Sequence, residues 1–146
     1  DPVQWMKDAL SGHDTLKVKN DVAAGVVLAI PPFPHEEDPD EVIGNPIYGL
    51  DEAWEQFSPT AVMIAPGPDL KDGKVTKQKI YQSSGTMLGV VTGLGKTVTQ
   101  AVDAAFKAID KIKVSNLMVR DDIGESLEEE LPVLQTLGYA TAMRYK

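Results

Sequence analysis

Cysteine is absent from this 146-residue chain. That excludes a disulfide scaffold, a thiolate metal site and a thiol nucleophile. Aromatic residues make up only 6%, and there are 2 histidines. Neither His13 nor His35 sits in the context of a Ser-His-Asp set. No apolar run approaches the ~18 residues of a transmembrane helix. Lys and Arg are missing altogether from positions 21–70, where ten acidic residues stand, and the whole chain carries a net charge of -8. Such a chain is no general nucleic-acid ligand, because phosphate neutralisation needs clustered cations. An initiator Met and a charged-then-apolar leader are also missing before Asp1-Pro2. The expectation is a processed or partial chain from the cytoplasm.

What is present is ordinary for one globular domain: 42% hydrophobic and 25% charged residues. Asp1 as N-cap and Pro2 at the first helical position predict a short helix with Trp5, Met6, Ala9 and Leu10 on its apolar face, stopping at Gly12. The run Val22–Ile30 is apolar almost throughout and predicts a strand buried on both faces. Residues 31–46 are proline-rich and acidic, which predicts an exposed excursion. A short helix is expected over 50–57, then strands over 61–65, 77–82 and 87–92, the first two joined by Lys71-Asp72-Gly73-Lys74. Thr97-x-x-Gln100 forms a capping box, and Val98, Ala101, Val102, Ala105, Ile109 and Ile112 repeat at helical spacing, with Asp103 and Lys107 paired outside. A strand over 116–119 and a helix from Ser126-x-x-Glu129, disturbed by Pro132, complete the pattern. The order predicts an α+β fold, a mostly antiparallel sheet crossed by one long helix.

The candidate chemistry is sparse. Gly95-Lys96-Thr97 opens a helix after an apolar strand, but a P-loop needs glycine at the position of Val90. Arg120, Asp121 and Asp122 suit a cation or a polar substrate, yet adjacent strand residues face opposite ways, and a surface turn between strand and helix is the favoured reading. His35-Glu36-Glu37-Asp38 offers oxygen donors without the spacing of a calcium loop, so a solvated acidic loop is favoured. Residues 71–113 hold eight lysines against Asp72, Asp103 and Asp110, which make either a local anion-facing patch or a solvated hairpin rim. The most informative segment is Ser83-Ser84-Gly85-Thr86-Met87-Leu88-Gly89-Val90. Its small residues admit a ligand or another backbone, and its N–H groups could receive an anion. Tight strand packing accounts for it as well.

A series of segments runs Asp1-Pro2-x-Gln4, Val26–Ala29, Pro46–Leu50, Ala65-Pro66-Gly67 with Asp72-Gly73, and Ser84–Val90. It continues with Gly95-Lys96-Thr97, Ala101 and Ala105, and Arg120–Gly124. In this order and at these intervals the series resembles the C-terminal region of phosphoribosylamine–glycine ligase, or glycinamide ribonucleotide synthetase, an ATP-grasp family of purine biosynthesis. The resemblance covers Asp1 to about Gly124. It implies an ATP-grasp ligase C-terminal domain over 21–124, with 1–20 a helix and linker from the ATP-grasp region and 125–146 a helical extension. The implied reaction has ATP phosphorylate a carboxylate, after which an amine displaces phosphate from the acyl phosphate.

The family's magnesium ligands and nucleotide-gripping lobes lie upstream of the segment matched by Asp1-Pro2. The resemblance therefore implies no catalytic or metal-ligating residue here, no cofactor bound by this chain, and inactivity in isolation. ATP and magnesium belong to the full-length enzyme. Its implied partners are the N-terminal and ATP-grasp lobes of the same enzyme and a small-molecule substrate, with no nucleic acid and no membrane. Ser84, Gly85 and Thr86 would line the substrate end, with Arg120 and Asp122 ordering that loop or touching substrate. The family's Gly-Gly-Arg is Ser84-Gly85-Thr86 here, its His-Ala-Gly-Thr lacks a His around Ile64–Pro68, and its Tyr-Arg-Lys-Asp-Ile-Gly is Val119–Gly124. Those departures argue for a divergent carboxylate–amine ligase or changed substrates. The competing reading is a non-catalytic protein-binding or assembly module that uses the acidic 36–41 loop and Glu128–Leu137.

Overall fold

A computed structural model of the chain describes residues 1–35, 42–71 and 73–146. The expectations for Glu36, Glu37, Asp38, the rest of the acidic segment to 41, and the turn at Asp72 lie outside the described residues. The elements run α1 (Pro2–Leu10), β1 (Val22–Ala29), β2 (Pro46–Ile47), α2 (Leu50–Ala53), β3 (Phe57–Pro59), β4 (Val62–Lys71), β5 (Lys74–Ser83), β6 (Met87–Gly95), α3 (Val98–Ile109) and α4 (Leu127–Thr136).

The strands form two antiparallel sheets, ordered β1-β6-β3 and β2-β5-β4, where the sequence predicted one. In the first, β1 and β6 pair from Val22↔Gly95 to Ala29↔Met87, with a bulge after Leu28. Because the pleat alternates, Val26, Leu28 and Val91 point inward to a core shared with Leu50, Phe57, Ala105, Ile109 and Ile112. The opposite face carries Ala23, Gly25 and Val27, all exposed, so β1 is not covered on both sides as its composition predicts.

Helix α3 lies directly on β6. Thr97 Oγ1 accepts from Gln100 N at 3.2 Å, while Gln100 Oε1 accepts from Lys96 N at 3.0 Å rather than from the cap residue. The capping box is thus half made, with its return bond displaced by one residue. A Cβ on Gly93 would stand 2.0 Å from Ala101 O and 2.3 Å from Ala105 N. Glycine at that strand position, facing alanines on the helix, is what permits the close approach. Asp103 and Lys107 form no ion pair; the pairs among the described residues are Lys96–Asp21, Arg120–Asp122 and Lys146–Glu128.

The helix expected over 50–57 ends at Ala53, because Phe57 joins the first sheet opposite Val91. The hairpin β4–β5 pairs ten residues a side, longer than the strands expected over 61–65 and 77–82. Its prolines, Pro66 and Pro68, lie on the edge strand, where a missing N–H costs little. The strand expected over 116–119 reduces to one bridge, Ala29↔Met118, beyond Asn116 at φ 57. Ser126 takes helical dihedrals and makes no cap bond, its Oγ donating instead to Glu130 Oε2 at 3.3 Å.

Residues beyond α4 return to the body. Val98 N donates to Arg144 O at 2.9 Å and Thr99 N to Tyr145 O at 3.0 Å, so the tail supplies carbonyls to the first turn of α3. Among the described residues no helix is long and apolar enough to cross a membrane.

Candidate functional site

Two segments far apart in sequence meet at the end of β1. Ile30 N donates to Thr86 O at 2.9 Å, tying the β5–β6 connection to one side of that strand end. On the other side, Met118 N donates to Ala29 O at 2.7 Å and Ala29 N to Met118 O at 3.1 Å, which brings in the segment that carries Arg120 and Asp122. The predicted loop and the predicted Arg-x-Asp pair therefore flank one point, with a single strand between them.

Ser84, Gly85 and Thr86 form the connection, and each is placed differently. Ser84 is exposed, Gly85 is half-buried, and Thr86 is only 2% exposed. Ser84 is open to solvent, whereas Thr86 is buried and its carbonyl accepts from Ile30 N. Ser84 N donates to Ala61 O at 3.0 Å. Directly before it, Ser83 is fully buried: its Oγ donates to Val42 O and accepts from Asn45 N at 3.1 Å. Ser83 N and O also bond Asn45 O and Gly44 N, at 3.0 and 2.8 Å. Ser83 is the anchor that sequence reasoning passed over. The Ser-Ser doublet was the signal, but which hydroxyl turns inward depends on strand register.

Arg120 Nε donates to Asp122 Oδ1 at 2.9 Å and Nη2 to Oδ2 at 2.5 Å, a bidentate fork in which both side chains face solvent. Three guanidinium N–H donors remain outside the fork. The pair orders itself and, among the described residues, makes no bond to Ser84 or Gly85. Arg120 also closes a groove of about 260 Å³ walled by Val27, Ala29, Phe33, Met118 and Val119. Asp121 stays exposed and apart from the fork.

The hydrogen bonds from Arg120 hold the Asp122 carboxyl below the usual carboxylate range, and its charge adds to the effect. The guanidinium is shifted upward by the same contacts. A carboxyl lowered in the folded state supports folding above its ordinary value, and the support disappears as pH falls through the lowered one. Carboxyl-carbon NMR should accordingly find Asp122 titrating below its value in Arg120→Ala. Coincident titration curves would show that the fork does not form in solution.

Among the described residues no three His, Asp or Glu side chains gather as a metal site would require. At the Gly95-Lys96-Thr97 turn, Lys96 Nζ is held by Asp21 Oδ1 and Asn20 O, and Val98 and Thr99 give their N–H groups to the tail. The cavity of about 840 Å³ beside that turn is lined by Lys96, Arg144 and Lys146; Lys96 and Lys146 are paired with carboxylates, and among the described residues Arg144 is in no ion pair. Of the lysines of 71–113, Lys74, Lys77 and Lys79 sit on the hairpin, while Lys107 lies in α3 and Lys111 just after it.

No curated protein sequence matches the chain. Among solved structures, phosphoribosylamine–glycine ligase from Thermotoga maritima matches with TM-score 0.50 and 21% identity, over 82% of this chain and 26% of that one. The likeness shows a shared fold, and this chain spans about a quarter of that ligase. The family described as phosphoribosylglycinamide synthetase, C domain, matches residues 23–126, from the start of β1 to the cap of α4, and takes in both segments that meet at the end of β1. By that match the chain belongs to the phosphoribosylglycinamide synthetase C-domain family.

Proposed function

We propose that this domain forms the substrate-side wall of an ATP-dependent carboxylate–amine ligase of purine biosynthesis, a cytoplasmic enzyme resembling phosphoribosylamine–glycine ligase. One observation carries the reading: the β5–β6 connection, through Thr86, and the segment that carries the Arg120–Asp122 fork, through Met118, are both bonded at the end of β1. Ser84 and the free edge of the Arg120 guanidinium then present a hydroxyl and a cation to a small polar substrate, with Asp122 fixing the guanidinium plane. Gly85 lets the substrate approach the backbone, and Thr86 holds the loop to β1. Residues 21–124 make the working body, 1–20 lead in from the nucleotide-handling part, and 125–146 brace α3. On this reading ATP and magnesium are held by other lobes of the same enzyme.

Isothermal titration of the chain with magnesium-ATP tests this division of labour. The expected trace shows no binding. Micromolar affinity would overturn the assignment of nucleotide binding to other lobes.

A further inference from the structure

The outer face of the β1-β6-β3 sheet lacks the polar residues that water would require. Its rows are Ala23↔Leu94, Gly25↔Thr92 and Val27↔Val90, the last continued on β3 by Ser58. An antiparallel sheet with one solvated face normally alternates apolar and polar residues along each strand. Here the inner face is covered by α3, yet the outer rows hold no charged side chain and two hydroxyls, those of Thr92 and, on the β3 edge, Ser58. Val27 and Leu94 remain 39% and 42% exposed, and Met118 extends the surface past β1 at 43%. Small side chains at 23 and 25 leave the face low enough for another element to lie against it.

We infer that this face is where the domain docks onto the remainder of its own ligase chain, an inference that rests on the function proposed above. Two features select that occupant. The same fold occupies only 26% of the matched ligase, so there the domain is one part of a much longer chain. A second copy of this chain is disfavoured, since each carries a net charge of -8 and no charge on this face offsets the repulsion. The face also runs into the groove edged by Arg120 through Val27 and Met118, so docking here sets the substrate-side residues at the rim of the interface.

The chain contains no cysteine, so single thiols can report on the face. Val27→Cys and Leu94→Cys should react with maleimide at least tenfold more slowly in the full-length ligase than in the isolated domain, read on the modified peptide by mass spectrometry. Val75→Cys on the exposed hairpin should react equally in both. Thr92→Cys, in the middle row, repeats the measurement should either variant fail to fold. Equal reactivity at 27, 92 and 94 in a full-length enzyme that still makes product would overturn the docking face and leave the ligase reading intact. Concentration-dependent protection in the isolated domain would assign the face to a second copy and overturn it too. Protected thiols in a full-length protein without ligase activity would keep the docking face and remove the proposed function.

Discussion

Replacing Gly93 with valine should destabilise the domain by about 3 kcal/mol or more, lowering Tm by roughly 10 °C. The obstruction is backbone: a Cβ there would meet Ala101 O at 2.0 Å and Ala105 N at 2.3 Å, and neither can swing aside. Helix α3 would have to lift from β6, loosening the contacts of Ala105, Ala108 and Ile109 with the core. Gly25→Ala is the matched control on the outer face of the same sheet. Its Cβ meets only Val90 Cγ1, at 3.4 Å. That change should stay within about 0.5 kcal/mol of the parent. Urea and thermal denaturation of both variants check the pair, and a Gly93→Val melt coincident with the parent would mean that α3 does not lie where it is placed.

Local chemistry made the regular elements readable. Asp1 does cap α1, accepting from Val3 N at 2.9 Å and Gln4 N at 3.3 Å, and Thr97 caps α3. The α+β class and antiparallel pairing also follow from the order of apolar runs. Partition into two sheets does not, since periodicity says which face is apolar and nothing about which strands share hydrogen bonds. Strand β3 escaped notice because three residues carry no period, and long-range pairing with Val91 overrode the helical pattern before it. Pro66 and Pro68 made the hairpin look shorter than it is, because only topology reveals an edge strand. The apolar β1 run was legible as composition, whereas its uncovered outer face required the structure.

The site was partly legible for similar reasons. Small residues at 84–86 and the Arg-x-Asp spacing mark themselves in the sequence, and both converge at β1. Their separate roles depend on burial that the sequence does not express: Ser84 outward, Thr86 inward, and Ser83 consumed by Val42 and Asn45. The Asp121–Asp122 doublet resolves in the same way, because Arg120 engages the second aspartate and leaves the first exposed.

Arg120 carries the largest functional expectation. Its fork with Asp122 uses two of five donors, so the remaining edge can recognise an anionic or carbonyl oxygen in a fixed orientation. Removing the guanidinium takes away that contact and the positive charge together, and about tenfold or more should be lost from kcat/KM. Asp122→Asn should lose less, through a higher KM, because the guanidinium remains but its plane is no longer held by a carboxylate. Circular dichroism and melting of the isolated domain should be nearly unchanged in both variants, as the pair lies on the surface. The decisive measurement is therefore steady-state kinetics of the proposed full-length ligase carrying Arg120→Ala. A fall of at least tenfold in kcat/KM with the fold intact is expected. Parental kinetics in a folded variant would take Arg120 out of the reaction chamber and would contradict the placement of the substrate at the end of β1.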